Sequence, residues 1–263
     1  MKERDAPLKS AHASESNTGR AGSISRRLFY WWALLLAGLL LIILGAPAIL
    51  FEWVTRRFKV VYPVAVFGGR IWLRLIGVKV IVKGHEHLKP GRAYVIISNH
   101  KSYLDPPAFL TSLKKRLGFI GKKELLRVPV LGQGMRYVNA IAIDRSNRTR
   151  AIQTMQAAAE RLRSGISFIV FAEGTRARAG EFLPFKKGGF YMAIEAGAPI
   201  APVAIKNTDN LMGKGKGEAS PGIVEITILP PVETEGLSTD EDVENLIEKV
   251  HSLIATELGL KNE

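Results

Sequence analysis

The sequence predicts an α/β domain with a mixed, largely parallel sheet flanked by helices, preceded by a membrane-inserted helical segment near the amino terminus. Two observations carry this prediction. From about residue 78, short β-branched runs alternate with helical segments, which is the order expected of a largely parallel sheet. Before them, Leu28–Phe51 contains no charged side chain and is long enough as a helix to cross a bilayer core of about 30 Å.

The composition narrows the possible functions. Hydrophobic residues make up 47% of the 263 positions, which is enough for a core and excludes a wholly disordered chain. The chain has no cysteine, so disulfides, thiolate metal sites and a cysteine nucleophile are excluded. The net charge of +13 suits nucleic acid, anionic lipid headgroups or acidic proteins as partners.

The chain divides into three regions. Residues 1–23 are polar, which predicts a disordered arm. Residues 24–76 predict a membrane-anchoring helix or a two-helix hairpin, because Pro47 can bend the apolar segment and a second apolar stretch follows it. A signal peptide fits less well, since the apolar run exceeds the usual length of roughly 7–15 residues. Basic residues flank both ends of the segment and leave its orientation open. Residues 77–263 form the α/β domain.

Periodicity predicts the elements of that domain. Strands are expected at Val78–Val82, Ala93–Ser98, Asn139–Ile143, Ile166–Phe171, Ile200–Ile205 and, at a sheet edge, Ile223–Ile228. Helical spacing predicts a helix between Ile143 and Ile166, and a last helix that begins with a capping box of Ser238 and Glu241. The run Gly213–Gly217, "GKGKG", lacks the Walker A spacing and predicts a mobile loop.

The stretch "SNHKSYLDPP", Ser98–Pro107, places His100 just past the carboxyl end of a buried strand. Asp105, followed by a proline, has the pattern of a helix N-cap, and His100 taken singly could be an ordinary turn residue. Together they allow a second interpretation, in which the carboxylate holds one ring nitrogen and leaves the other free as a base. A serine triad is not supported, because the sequence has no G-x-S-x-G elbow and the helix start is expected to point Ser102, which lies between the pair, elsewhere.

The stretch "FAEGTRAR", Phe171–Arg178, also follows a strand directly. Gly174 lets backbone approach a ligand, Thr175 offers a hydroxyl, and Arg176 offers a planar guanidinium suited to phosphate oxygens. The alternative is a charged surface turn in which Glu173 pairs with Arg176. Because this stretch and His100 are expected at the same sheet edge, a phosphate pocket is the better interpretation. No set of residues predicts a metal site.

These residues resemble a known family. "NHKSYLD" fits an N-H-x-x-x-x-D signature, "AIAIDR" (Ala140–Arg145) fits an F-I-D-R block, and "FAEGTRAR" fits an F-P-E-G-T-R block. "GKKELLRVPVLG" (Gly121–Gly132) and "APIAPVAI" (Ala198–Ile205) complete the order. Over about residues 78–230 the chain resembles the 1-acylglycerol-3-phosphate acyltransferases, also called lysophosphatidate acyltransferases. It departs from them at Ala172, where the family usually has proline, and at two small alanines of the middle block.

The resemblance implies a single acyltransferase domain and a chemistry. His100 would act as general base on the free hydroxyl of a lysophospholipid, oriented by Asp105, and the alkoxide would attack an acyl thioester on acyl carrier protein or coenzyme A. The substrate's phosphate would be held by Arg176, Thr175 and the backbone at Gly174, with Glu173 supporting that loop. Lys122 and Arg145 would be further contacts in the substrate-binding site. The resemblance implies no metal or other cofactor beyond the thioester co-substrate.

Partners and alternatives follow from the same reasoning. We expect a lysophospholipid acceptor, a thioester donor and a lipid bilayer as partners, and the inner membrane of the cell with the active site on its cytoplasmic face. Alternative acceptors are another lysophospholipid, a lyso-ornithine lipid or glycerol 3-phosphate. A thioesterase would use the same base on water. A membrane-anchored nucleic-acid-binding protein is disfavoured, since the basic residues lack interleaved aromatics.

Overall fold

The structure is a computed structural model that describes residues 12–56, 59–143, 148–178 and 180–260. Its helices are α1 His12–Leu40, α2 Ala46–Thr55, α3 Val61–Leu75, α4 Asp105–Ser112, α5 Leu131–Tyr137, α6 Arg148–Arg163, α7 Gly188–Ala196, α8 Thr208–Met212 and α9 Asp240–Glu257. Its strands are β1 Val78–Lys83, β2 Val95–Ser98, β3 Leu117–Lys122, β4 Ala140–Ile143, β5 Ser167–Phe171, β6 Ile200–Lys206 and β7 Gly222–Ile228.

Within the described residues, the strands form one seven-stranded sheet in the order β1-β7-β6-β2-β5-β3-β4. The five strands from β6 to β4 are parallel, whereas β7 is antiparallel to β6 and parallel to β1. The mixed, largely parallel sheet is therefore confirmed. The edge position predicted for Ile223–Ile228 is wrong, because β1 pairs with the outer side of this strand and forms the edge itself.

Strand β3 was not predicted from the sequence. Two glycines, Gly118 and Gly121, interrupt its apolar pattern. The structure explains the first of them, since a Cβ on Gly118 would lie 2.5 Å from the ring of Phe168 on the neighbouring strand β5. A glycine leaves room for a large side chain on the next strand, so the two strands can pack closely. It also interrupts the apolar sequence pattern from which a strand is predicted.

The core has a layer on each face of the sheet, as the alternation along β2 shows. Ile96 faces a cluster built with α3, α4 and part of α1, whereas Val95 and Ile97 face a cluster built with α6, α7 and α9. The last helix is capped one residue later than predicted. Thr239 and Asp242 form the capping box, because the Thr239 side chain is placed to accept from the backbone N–H three residues on.

The amino-terminal segment is helical from His12, so the disordered arm expected over residues 1–23 is wrong from that position onward; residues 1–11 lie outside the described residues. Once the apolar segment is helical, extending the helix backward adds one hydrogen bond per residue without a new nucleation cost. Helix α1 continues into α2 through a π-helical turn at Leu41–Gly45. This turn immediately precedes Pro47, whose ring would otherwise clash with the carbonyl four residues earlier.

Ser23–Thr55 is long and apolar enough to cross a membrane. One face of α1 packs on the domain through residues such as Ala33, whose carbonyl accepts a hydrogen bond from Trp72 Nε1 at 2.8 Å. The opposite face exposes large apolar side chains at helical spacing, namely Ile24, Leu28, Trp31, Leu35, Leu39 and Ile42. An exposed apolar stripe of this length, ending in an apolar α2, marks a membrane-contacting surface.

Candidate active site

The two sequence motifs meet at the carboxyl edge of the parallel strands. Strands β2 and β5 are neighbours, and Ser98 pairs with Phe171 at their last residues. The loops that follow therefore start side by side, as expected for a site at this edge. Two backbone hydrogen bonds continue the contact: Ala172 N–H donates to Ser98 O at 3.3 Å, and Ala177 N–H donates to His100 O at 2.7 Å.

His100 and Asp105 form a close pair. His100 Nδ1 lies 2.7 Å from Asp105 Oδ2. The same carboxylate oxygen accepts from the backbone N–H groups of Lys101 at 2.8 Å and Ser102 at 2.9 Å. Because a carboxylate accepts and does not donate, His100 Nδ1 carries the proton and Nε2 carries the lone pair. The pair has the geometry of a base and its orienting group.

The sequence pattern of Asp105 suggested an N-cap, and that interpretation is wrong. Helix α4 begins at Asp105 itself, Leu104 occupies the cap position, and no side chain caps the helix. The fully buried carboxylate turns back toward residues 100–102. Two consecutive prolines follow it in the first turn, where their missing N–H groups need no capping partner, so the carboxylate is available for the loop.

The imidazole of His100 is also held on its face. Its ring stacks on Phe171 with centroids 4.1 Å apart and an interplanar angle of 17°. The His100 side chain is 18% exposed, so it is largely buried yet still reaches the surface. A ring held by one hydrogen bond and one stacking contact has little rotational freedom, which preorganises Nε2 for proton transfer.

Glu173 is buried and supports both loops. Its Oε1 accepts from His100 N–H at 2.8 Å, and its Oε2 accepts from Leu183 N–H at 3.2 Å. Burial raises the pKa of Glu173 to about 7, against the opposing effect of these two hydrogen bonds. A surface ion pair with Arg176, the alternative that the sequence allowed, is therefore excluded: Glu173 is 2% exposed and binds backbone.

The three residues after Glu173 form the turn that was predicted to hold phosphate. Gly174 has φ +73°, a left-handed conformation that glycine adopts without strain. Thr175 is exposed, and the Arg176 guanidinium carbon lies 3.7 Å from the centroid of the Tyr103 ring. The turn therefore presents a hydroxyl and a guanidinium beside the His100 loop.

The remaining predicted residues lie farther along the same edge. Lys122 ends β3, is 61% exposed and has its Nζ 3.6 Å from Glu124 Oε2. Within the described residues, no contact is seen between Lys122 and the His100 loop. Strand β3 is nevertheless the neighbour of β5, so it ends beside the turn formed by residues 174–176, the phosphate turn. Arg145 lies outside the described residues, just after β4. No group of three or more metal-ligating side chains occurs in the part of the chain that the structure describes.

Sequence reasoning assigned no role to Asn99, which precedes His100. Its amide donates to Ile205 O at 2.8 Å and accepts from Ile205 N–H at 2.9 Å. The Asn99 side chain thus pairs with the backbone of β6 as a further strand residue would, and it joins the end of β2 to β6. Ser102, set aside as a nucleophile, is buried and donates to Met212 O at 2.6 Å.

The predicted mobile loop is also part of this region. Gly213 forms an isolated antiparallel bridge with Ser102, and Lys214 contacts both motif loops. The prediction rested on the missing Walker A spacing, which does not report contacts distant in sequence. No local pattern indicated that this loop crosses the site.

Comparison with known proteins identifies what this arrangement resembles. A family model described as Acyltransferase matches residues 79–206. The 1-acyl-sn-glycerol-3-phosphate acyltransferase of Limnanthes douglasii is 33% identical over 215 residues, which cover 80% of this chain and 74% of that protein. The human 1-acyl-sn-glycerol-3-phosphate acyltransferase alpha is 37% identical over 182 residues, which cover 68% of this chain and 64% of that protein. The chain thus spans less than two thirds of the length of the human protein.

A solved structure is also similar. The crystal structure of the 1-acyl-sn-glycerophosphate acyltransferase PlsC from Thermotoga maritima superposes with a TM-score of 0.76 at 29% identity. The match covers 91% of this chain and 98% of that chain. The similarity therefore includes the amino-terminal helices as well as the sheet.

Proposed function

The chain belongs to the 1-acylglycerol-3-phosphate acyltransferase family, as the sequence motifs indicated, and we propose that it transfers a fatty acyl group to 1-acylglycerol 3-phosphate, giving phosphatidate. The donor is an acyl thioester of acyl carrier protein or coenzyme A. One observation carries the proposal: the 2.7 Å contact that leaves His100 Nε2 as a base at the sheet edge where the phosphate turn begins.

The chemistry follows from that tautomer. His100 Nε2 takes the proton of the acceptor's free hydroxyl while the hydroxyl oxygen attacks the carbonyl carbon of the thioester. The carbon–sulfur bond then breaks, and the thiolate leaves with the proton returned by the imidazolium. Asp105 stabilises the imidazolium while it exists, because its carboxylate stays on Nδ1–H throughout. No acyl-enzyme is required, since Ser102 is engaged with Met212 O.

The phosphate of the acceptor fits the turn after Glu173. Arg176 offers two parallel N–H donors and Thr175 a hydroxyl, and the missing side chain of Gly174 leaves room for the ligand to approach the turn. Lys122 ends β3, the strand next to β5, and would add positive charge at the far side. Arg145, which the family resemblance assigns to the same phosphate, lies outside the described residues. The net charge of +13 further favours phosphate and an acidic carrier protein.

The proposed location is the inner membrane of the cell, with the active site on its cytoplasmic face. The exposed stripe of α1 and the apolar α2 would enter one leaflet, because the other face of α1 is packed along the domain. A lysolipid acceptor lies in that leaflet, so the site would meet it at the membrane surface. No further cofactor is needed for this chemistry.

The test uses the detergent-purified full chain with mixed acyl thioesters and lysophosphatidate, and mass spectrometry of the lipids. We expect phosphatidate from the unmutated protein and about 10²–10⁴-fold less from His100→Ala. His85→Ala is the matched control, since His85 lies in the turn after β1 and should leave the rate unchanged.

Each other outcome selects an alternative. An untouched donor refutes lysophosphatidate as acceptor, and the same assay then runs with other lysophospholipids, lyso-ornithine lipid and glycerol 3-phosphate. Donor consumed without any diacyl product means hydrolysis and replaces the transferase by a thioesterase. Equal loss in His100→Ala and His85→Ala would remove His100 from the role of base.

A further inference from the structure

The loop between α8 and β7 is attached to the His100 loop. Ser102 Oγ donates to Met212 O at 2.6 Å, and Lys214 N–H donates to Lys101 O at 3.3 Å. These bonds flank the antiparallel bridge between Ser102 and Gly213. The backbone of residues 212–214 therefore runs alongside residues 101 and 102 like a short strand pair.

The side chain of Lys214 reaches the other motif loop. Its Nζ donates to Arg176 O at 2.5 Å. Lys214 thus joins the base loop through its backbone and the phosphate turn through its side chain. A hydrogen bond from a charged donor is stronger than one between neutral groups, and this ammonium is only partly exposed.

Arg176 is held at further points. Its guanidinium lies over the Tyr103 ring at 3.7 Å, and the next residue, Ala177, donates its N–H to His100 O at 2.7 Å. With its carbonyl bound by Lys214, the arginine has both its backbone and its side-chain head restrained. An arginine ordered before binding loses less conformational entropy when a ligand binds.

We propose that Lys214 is a positioning residue for the acceptor's phosphate monoester. It holds the backbone of Arg176 against the base loop, so that the guanidinium is oriented before the lysolipid arrives. This inference rests on the proposed function, in which Arg176 binds that phosphate. The "GKGKG" loop would thereby contribute to acceptor affinity in addition to the loops that contain His100 and Arg176.

The test replaces Lys214 by methionine, which keeps the side-chain stem and removes the ammonium. We expect KM for lysophosphatidate to rise about 3- to 10-fold, with kcat and the KM for the donor unchanged, since one hydrogen bond to Arg176 is lost. Lys214→Arg should restore part of the affinity. Lys216→Met is the matched control, because Lys216 Nζ donates to Asp209 O at 3.0 Å in the same loop but does not reach the phosphate turn.

A double-mutant cycle asks whether Lys214 acts through Arg176. In an Arg176→Met background, Lys214→Met should cause no further rise in KM, because there is no guanidinium left to position. Additive effects would overturn the proposal. A fall in kcat alone, a rise in the KM for the donor, or an equal effect of Lys216→Met would also overturn it, in favour of base positioning, donor binding or loop integrity.

A binding measurement separates this inference from the proposed reaction. Glycerol 3-phosphate should raise the Tm of the full-length protein, raise it less for Lys214→Met and leave it unchanged for Arg176→Met. If these shifts occur but no phosphatidate forms, the proposed acceptor is wrong and the role of Lys214 stands. If phosphatidate forms and Lys214→Met shifts Tm as the unmutated protein does, the role of Lys214 is wrong.

Discussion

Replacing Asp105 by asparagine tests whether the buried carboxylate orients the base. In the structure Oδ2 accepts three hydrogen bonds, at 2.7, 2.8 and 2.9 Å, whereas the buried Oδ1 has no hydrogen-bond partner. Asparagine must place its NH₂ group at one of these two positions. At the Oδ2 position it would face three donors, so we expect it at the Oδ1 position, buried without an acceptor.

The cost follows from that geometry. An unsatisfied buried donor costs about 1–3 kcal/mol, and replacing three charge-assisted hydrogen bonds by neutral ones adds about 1–3 kcal/mol. The free energy of unfolding should therefore fall by about 2–6 kcal/mol. The rate should fall by about 10²-fold or more, because the neutral amide stabilises the imidazolium far less than a carboxylate does.

The assay combines phosphatidate formation with chemical denaturation of the same preparation, at a temperature where the variant is fully folded. His100→Ala is the comparison, since it removes the base and leaves the carboxylate bound to two backbone N–H groups. A folded Asp105→Asn protein that keeps its rate within about 3-fold, a difference worth less than 1 kcal/mol, would refute the orienting role.

Two further predictions concern residues that hold the loops. Tyr103→Leu should raise KM for the phosphate-bearing acceptor about 2- to 5-fold by removing a cation–π contact with Arg176, whereas Tyr103→Phe should keep it; equal kinetics for both variants would contradict the contact. Burial raises the pKa of Glu173 from 4.5 to about 7, so its carboxyl stays protonated to a higher pH in the folded protein than in the unfolded chain. The contribution of Glu173 to the free energy of unfolding should be fully present below pH 4.5 and fall by about 3 kcal/mol as the pH rises to 7. Glu173→Gln should remove that part of the pH dependence in denaturation curves, and an unchanged pH dependence in the variant would mean that another group is responsible.

Much of the architecture could be predicted because it depends on local patterns. The strands around His100 and Glu173 are continuous β-branched runs, and such runs need no distant partner to be recognised. Strand β3 could not be predicted, because Gly118, which interrupts its apolar pattern, makes room for Phe168 on another strand. The central position of β7 was missed for a similar reason, because strand order is not encoded in the pattern of any one strand.

The candidate site likewise contains some residues that could be predicted from the sequence and others that could not. His100, Asp105 and the turn after Glu173 were predicted because each lies at the end of a recognisable strand and carries a distinctive side chain. Lys214 and Tyr103 were missed, since their partners are Arg176 and backbone atoms that are far away along the chain. Lys214 and Tyr103 have no fixed spacing to the motif residues that they contact, unlike Asp105, whose spacing to His100 is part of the motif.

Local sequence patterns were enough to predict the class of the fold, the apolar amino-terminal segment, the family and the pair His100 and Asp105, to which we assign the chemistry. The folded structure alone shows that Asp105 turns away from its helix to the His100 loop, that Glu173 is buried between two loops, and that Lys214 contacts both of these loops. The physical reason is that composition and periodicity report interactions between near neighbours in the chain. The orientation of a buried carboxylate is instead set by donors that only folding brings together.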